Sequence, residues 1–362
     1  MPELPLTRIV VTGASGNVGT ALLRRLAQRT EPPEIIGVAR RIPPARGPYS
    51  YARWCRIDLA APGSDTVLRR TMSGADAVVH LAWGFQPSHK REYLRRTAID
   101  GTRAVYTAAA DAGVPHVVHM SSGAAYAPGS YGTPVDETWP RTGISGSTYS
   151  QDKVAAELLL DELSRAPDAP ALLRVRPGFI GQYADGSGLA RYVLPDAVPT
   201  AITRHIPLFP IDRRLTVPAV HADDVAAAIE SALELRAEGA VNLASPVPIC
   251  ADDFAAPFGC ATVHVPARLL STMADAVWRA RLQPVQGGWI DLAYATPMLR
   301  CDRAAELLGW TPRHTGPAVW ADTIAGMREG AGTDSPVLRA RTARQLLSVL
   351  ISRGAIGARI PP

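Results

Sequence analysis

The sequence predicts an α/β fold, a doubly wound parallel sheet with a smaller C-terminal region. Three observations lead there. Short apolar runs rich in β-branched residues recur through the first 177 residues. Stretches with helical spacing separate several of them. Beyond residue 178 the texture turns irregular and rich in glycine and proline. Strands that are apolar throughout, alternating with helices, mean a sheet covered on both faces.

The elements follow in order. "RIVVT" (8–12) reads as a buried strand. "GASGNVG" follows it, and then Val18, Ala21, Leu22 and Leu26 fall on one helical face. "EIIGVA" (34–39), "DAVVHLA" (76–82), "HVVHMSS" (116–122) and "ALLRVRP" (171–177) are strand-like. Residues 90–112 and 149–165 read as helices. "VPAVHADDVAAAIESALEL" gives a strand and a helix, and "AVNLAS" another strand, so residues 217–247 complete the first domain of 1–177. Residues 178–216 and 248–330 form the second region. The tail, with "SPVLRARTARQLLSVLISRG", predicts a helical extension over 331–362.

Composition narrows the function classes. The 362 residues are 47% hydrophobic and 20% charged, ordinary for a globular protein. Net charge is +5, but the basic residues are scattered arginines with no aromatic-studded stripe, which argues against nucleic acid. Cys55, Cys250, Cys260 and Cys301 form no C-x-x-C and read as reduced thiols. His116 and His119 point to opposite faces of a strand, and no metal site is expected. No apolar run of about 18 residues and no leader pattern appear, so the expectation is a soluble, cytoplasmic protein without a membrane partner.

Two motifs carry chemistry. The first is Thr12-Gly13-Ala14-Ser15-Gly16-Asn17-Val18-Gly19, between the first strand and first helix. Glycines there permit a tight turn and close approach of a diphosphate, and the helix N-terminus offers free N–H groups. An NAD site usually carries an acid at the end of the second strand. Here "IIGVARR" puts Ala39 in that place, followed by Arg40 and Arg41. Guanidinium groups suit a ribose 2′-phosphate, so the expected cofactor is NADP, with NAD as the alternative. Solvent-facing arginines are the competing explanation. The second motif is "STYSQDK", with Tyr149 and Lys153 one helical turn apart. A nearby ammonium favours phenolate and readies a tyrosine for proton transfer, although the spacing alone also suits an ordinary surface pair.

Taken together, the motifs resemble the extended short-chain dehydrogenase/reductase family, the group of NAD-dependent epimerases and dehydratases. "TGASGNVG" is similar to the family's T-G-x-x-G-x-x-G, "VVHLAW" to V-x-H-x-A, "HMSSGAAY" to the strand ending in a catalytic Ser or Thr, and "RVRPG" to its R-P-G segment. "VHADDVA" and "LGWTPR" resemble later landmarks, so the likeness spans roughly 8–312. It implies a Rossmann-type NAD(P)-binding domain with a substrate-binding C-terminal region. It implies catalytic roles for Ser122, Tyr149 and Lys153. Tyr149 exchanges the proton, Lys153 lowers its pKa and bonds the nicotinamide ribose, and Ser122 holds the substrate oxygen. Cofactor contacts fall on Gly13, Ser15, Gly16, Asn17, Val18, Gly19, Arg40, Arg41, Asp58, Leu59, Leu81, Ala82, Trp83, Pro177 and Gly178, beside Tyr149 and Lys153. Relatives often dimerise through the helices at 90–112 and 149–165, which makes a homodimer the implied assembly.

Departures from the family bear on the substrate. Sugar-nucleotide dehydratases carry Asp-Glu after the Ser/Thr; Gly123 and Ala124 stand here and argue against 4,6-dehydration. Nucleotide-sugar members carry Asn two places after the R-P-G proline; here it is Phe179. Trp83, Gly123, Phe179 and Ile180 are the expected substrate contacts, with plain packing as the alternative for Trp83 and Phe179. The expected activity is an NADP-dependent carbonyl reductase or alcohol dehydrogenase on a small, partly apolar, non-nucleotide substrate. A redox-neutral epimerase is the alternative, and a non-catalytic NADP-sensing protein a third reading.

Overall fold

The computed structural model describes residues 6–340, apart from 85–89, 130–131, 196–197, 201–202 and 204–205. In chain order the strands begin with β1 (Arg8–Thr12), β2 (Glu34–Ala39), β3 (Ala52–Arg56), β4 (Ala77–His80), β5 (His116–Met120) and β6 (Ala171–Pro177). Short strands follow: β7 (Phe179–Gly181), β8 (Leu208–Ile211), β9 (Thr216–Val217) and β10 (Ala219–His221). β11 (Gly239–Leu243) returns to the main sheet, before β12 (Ile249–Cys250) and β13 (Ala261–His264). The main sheet has seven strands in the order β11-β6-β5-β4-β1-β2-β3. All its pairings are parallel.

Alternate residues of each strand feed opposite cores, because successive side chains point to opposite faces. Ile9, Val11, Val79 and Leu173 pack against Leu22 and Leu26 of α1 (Asn17–Leu26) and Val225 and Ile229 of a helix at Ala222–Leu235. Val10, Val78, Val117 and Leu172 pack the other way. There they meet Leu68 of α2 (Ser64–Met72), Val105 of the helical run 91–111 and Leu160 of the helix Thr148–Leu163. Within 91–111, α3 (Arg91–Arg95) and α4 (Gly101–Asp111) are joined by a π-helical turn at Arg96–Asp100. The remaining helices are α5 (Thr148–Leu163), α6 (Gly186–Val193), α7 (Ala222–Leu235), α8 (Ala251–Ala255), α9 (Ala267–Arg279), α10 (Gly287–Ala295), α11 (Asp302–Leu308) and α12 (Gly316–Glu329).

The chain runs outward from β1 to β3, then crosses back to β4 and continues the other way. The strand order reverses between β1 and β4, and a doubly wound sheet opens its ligand crevice at that place. The second region stands near this end. β7 pairs with β10, β9 with β12 and β8 with β13.

One element left no signal in the sequence, and one expectation needs correction. β3 reads "ARWCR" and gave no apolar run, because it is the half-exposed edge of the sheet. The tail over 335–340 is not helical: Leu338 and Arg339 N–H groups both bond the Ser335 carbonyl in a turn that begins at Pro336. Proline has no N–H, and the Ser335 hydroxyl, which accepts from the Val337 N–H at 3.3 Å, donates to the Ser15 carbonyl and ties the turn to the glycine loop. Residues 341–362 lie outside the described residues.

Candidate active site

One cavity of about 890 Å³ opens beyond the carboxyl ends of β1, β2, β4, β5 and β6. It begins at the glycine loop. Gly13 has φ +70°, and a Cβ there would lie 2.6 Å from the Ala82 nitrogen. Only glycine lets β1 and β4 part with so little space between their loops. Gly16 precedes α1 and offers no side-chain cap, so no side chain competes for the first-turn N–H groups that face the loop. A Cβ on Gly19 would sit 2.5 Å from the Gly13 and Ala14 carbonyl oxygens, which fixes the helix close against the loop.

At the end of β2, Arg40 donates to the Tyr93 hydroxyl at 2.5 Å and lies 5.5 Å from its ring. Tyr93 in turn bonds the Asp58 carboxylate at 3.1 Å. Arg41 is held below its usual pKa by burial and then by its neighbours Arg40 and Arg339. Leu59, Leu81 and Ala82 complete this wall.

Ser122 follows β5, while Tyr149 and Lys153 stand on the first turns of α5, which Ser147 caps through the Ser150 N–H. All three line the cavity. Burial pushes the Tyr149 phenol up to about 12, opposed by its hydrogen bond with Ser122. Burial pulls Lys153 down to about 7, opposed by the Glu157 carboxylate. Its ammonium donates to the Met120 carbonyl at 2.8 Å and lies 3.4 Å from the centre of the Trp83 ring. The expected lowering of the tyrosine pKa by Lys153 is therefore not what this geometry gives: desolvation dominates, and the ammonium is committed to Met120 and Trp83.

Behind these residues lies a buried ionic layer. Arg176 bonds both oxygens of Glu157, at 2.8 and 2.6 Å, and also the Tyr126 hydroxyl. Glu157 accepts from Ser121 and from Arg141 as well; against the cost of burial, Arg176 first and then these donors hold its carboxyl down at about 2. This network ties α5 to β5 and β6 and so fixes the helix that carries Tyr149 and Lys153.

The substrate side is aromatic. Tyr149 has Trp83 edge-on at 6.2 Å and Trp289 of α10 at 5.2 Å. Pro177, Gly178, Phe179 and Ile180 line the cavity as the chain leaves β6. A Cβ on Gly178 would lie 2.2 Å from the Pro218 carbonyl oxygen, so this crossing admits only glycine. Phe179 packs edge-on against Trp320 at 5.9 Å while still facing the cavity. The sequence-predicted residues thus converge on one cavity, with one correction. Gly123 does not line it; the 3-10 turn at Gly123–Ala125 points its Cα at Leu299 and the Pro177 carbonyl, and Ala124 takes the wall instead. Sequence reasoning missed Trp289, Asp185 and the segment 336–338, all on the cavity wall. "GGWIDLAYA" and "YADGSG" show nothing in the sequence that distinguishes them from packing.

Comparison with known proteins decides the family. The model of the NAD dependent epimerase/dehydratase family matches residues 9–244. The chain belongs to that family. The family takes its name from NAD-dependent epimerases and dehydratases. Among relatives, the 2'-dehydrokanamycin reductase of Streptomyces kanamyceticus is 31% identical over 68% of this chain and 64% of its own. The ceramide reductase of Caulobacter vibrioides is 28% identical over 65% and 63%. An uncharacterised Mycobacterium tuberculosis protein is 35% identical over 116 residues, only 12% of its length. The chain thus spans less than two thirds of each of these relatives. The UDP-glucose 4-epimerase structure from Thermotoga maritima shares the fold, with TM-score 0.66 and 18% identity over 89% of this chain and 99% of that one. Among the described residues of this family member, no helix is long and apolar enough to cross a membrane, and no His/Cys/Asp/Glu group could hold a metal.

Proposed function

We propose that the enzyme is an NADP-dependent reductase of a small, partly apolar carbonyl compound. The observation that carries this reading is the pairing of Ser122 and Tyr149 with the aromatic wall of Trp83, Trp289 and Phe179. The glycine loop, with its Gly13 approach and bare helix N-terminus, fits a dinucleotide diphosphate. Arg40 and Arg41, at the end of a strand that carries Ala39 in place of an acid, fit a 2′-phosphate. Lys153 fits the nicotinamide ribose.

When bound, the cofactor supplies the hydride. The chain does the rest. Tyr149 gives its proton to the substrate oxygen, and the Ser122 hydroxyl donates a hydrogen bond to the same atom as charge develops there. Burial holds the phenol protonated, the form that reduction of a carbonyl calls on. Trp83 and Trp289 exclude water and offer apolar faces, and neither can accept a hydrogen bond from a sugar hydroxyl.

The reductases from Streptomyces and Caulobacter support this class of reaction, while the epimerase among the structural neighbours keeps a redox-neutral reaction as the second reading. Calorimetry with UDP- and dTDP-sugars tests the substrate class. No binding at millimolar ligand is expected; micromolar binding of any of them overturns the apolar reading. A Phe179→Asn variant that gained such binding would support it, by showing that this position governs the choice.

A further inference from the structure

We propose that residues 331–340 form a strap belonging to the cofactor site, and that it brings Arg339 as a third cation, with Arg40 and Arg41, to the phosphate on the adenosine ribose. The phosphate part of this proposal rests on the NADP reading above.

The strap leaves α12 at Gly330, in the left-handed region at φ +69°. It is fastened to the nucleotide end of the cavity at several points. The Thr333 hydroxyl bonds the Tyr49 hydroxyl at 2.6 Å, and the buried Tyr49 also bonds Thr20 of α1. The Ser335 hydroxyl donates to the Ser15 carbonyl, within the glycine loop itself, at 2.6 Å. Arg191 of α6 donates to the Val337 carbonyl at 2.6 Å and to the Arg339 carbonyl. A Cβ on Gly332 would meet the Leu338 carbonyl oxygen at 2.3 Å, so the segment folds tightly on itself. Pro336, Val337 and Leu338 then line the same cavity as Ser15, Arg40 and Arg41.

This path puts Arg339, the residue after Leu338, next to the wall of the cavity that Leu338, Arg40 and Arg41 line. Its charge and that of Arg40 both weigh on Arg41. Among the described residues, none of the three guanidiniums forms an ion pair; Asp58 reaches Arg40 only through the Tyr93 hydroxyl. Like charges gathered without counter-charge repel one another, and a bound phosphate dianion relieves that repulsion. The end of the second strand is where this fold reads the adenosine ribose.

The test is a fluorescence titration of the full-length protein with NADPH and with NADH, in wild type and in Arg339→Ala and Arg339→Lys, with thermal melts alongside. Arg339 is exposed, so the variants should fold. We expect Arg339→Ala to weaken NADPH about 10-fold, the low end for a charged hydrogen bond, and to leave NADH within twofold. Arg339→Lys should recover part of the loss. Unchanged NADPH affinity in Arg339→Ala, with a wild type that prefers NADPH, overturns the strap role and leaves the cofactor reading standing. A wild type that binds NADH more tightly refutes the cofactor reading itself, and with it the phosphate role of Arg339.

Discussion

The Lys153 ammonium lies 3.4 Å from the centre of the Trp83 indole and 5.8 Å from that of the Tyr149 ring. A desolvated cation over an indole face gains about 2 kcal/mol. Trp83 therefore offsets part of the cost of burying the ammonium. Trp83→Leu keeps the wall apolar and removes the π face. The pH at which Lys153 loses its proton should fall below about 7. The check is the pH dependence of cofactor binding: its alkaline fall-off should move to lower pH, and an unmoved profile would show that the indole does not support the charge.

Lys153 also leaves a mark on stability. Burial holds it at about 7 against 10.5 for an ordinary lysine. Between those values the unfolded chain binds a proton that the folded chain has released, so the stability contribution of this group rises with pH. Below pH 7 the full cost of the buried ammonium remains. Lys153→Met should raise Tm relative to wild type most near pH 6, with the gap closing towards pH 10. A gap independent of pH would contradict the low pKa.

Tyr149→Phe removes the proton but keeps the ring against Trp289 and Trp83. Turnover should fall by roughly 10²–10⁴-fold, the scale of general acid catalysis, while cofactor affinity barely changes. Lys153→Ala should harm both. Initial rates and cofactor titrations separate the two patterns.

Asp185 gives a pH test at the other end of the cavity. Burial pushes its carboxyl up to about 7, with Arg191 opposing. Asn17, at the start of α1, donates to it at 3.1 Å. Above pH 7 it carries a charge that repels a diphosphate at the glycine loop; below, it is neutral. NADPH affinity of the wild type should therefore drop as pH rises through 7, and Asp185→Asn should flatten that drop. A titration series from pH 6 to 8.5 checks it, and an equal slope in the variant would remove Asp185 from cofactor binding.

Much of this site is legible in the sequence because its parts are local. The turn between β1 and α1 declares itself through Gly13, Gly16 and Gly19, and Tyr149 and Lys153 through one turn of α5. The parallel strands are readable because burial on both faces leaves continuous apolar runs such as "RIVVT". What stays hidden is contributed across long separations. Trp289 meets Tyr149 from 140 residues away, and Ser335 meets Ser15 from 320. Gly123 misleads for the opposite reason: it lies next to Ser122 in sequence, yet a short 3-10 turn directs it into the packing against Leu299. β3 is hidden because an edge strand with Arg53 and Arg56 lacks the apolar signature.

The cofactor preference can be separated from the chemistry. Arg40→Ala should weaken NADPH by about 10- to 150-fold, the worth of a charged hydrogen bond of about 1.5–3 kcal/mol, and NADH far less. Equal effects on both cofactors would assign Arg40 to Tyr93 and Asp58 alone.

The most direct measurement is the stoichiometry of NADPH oxidation, followed by absorbance, against product formed from a panel of small cyclic and aromatic ketones. A reductase with this site should oxidise one NADPH per alcohol formed, and Tyr149→Phe should slow the signal by roughly 10²–10⁴-fold. Conversion of a substrate stereocentre with no net change in NADPH would contradict the account and establish an epimerase.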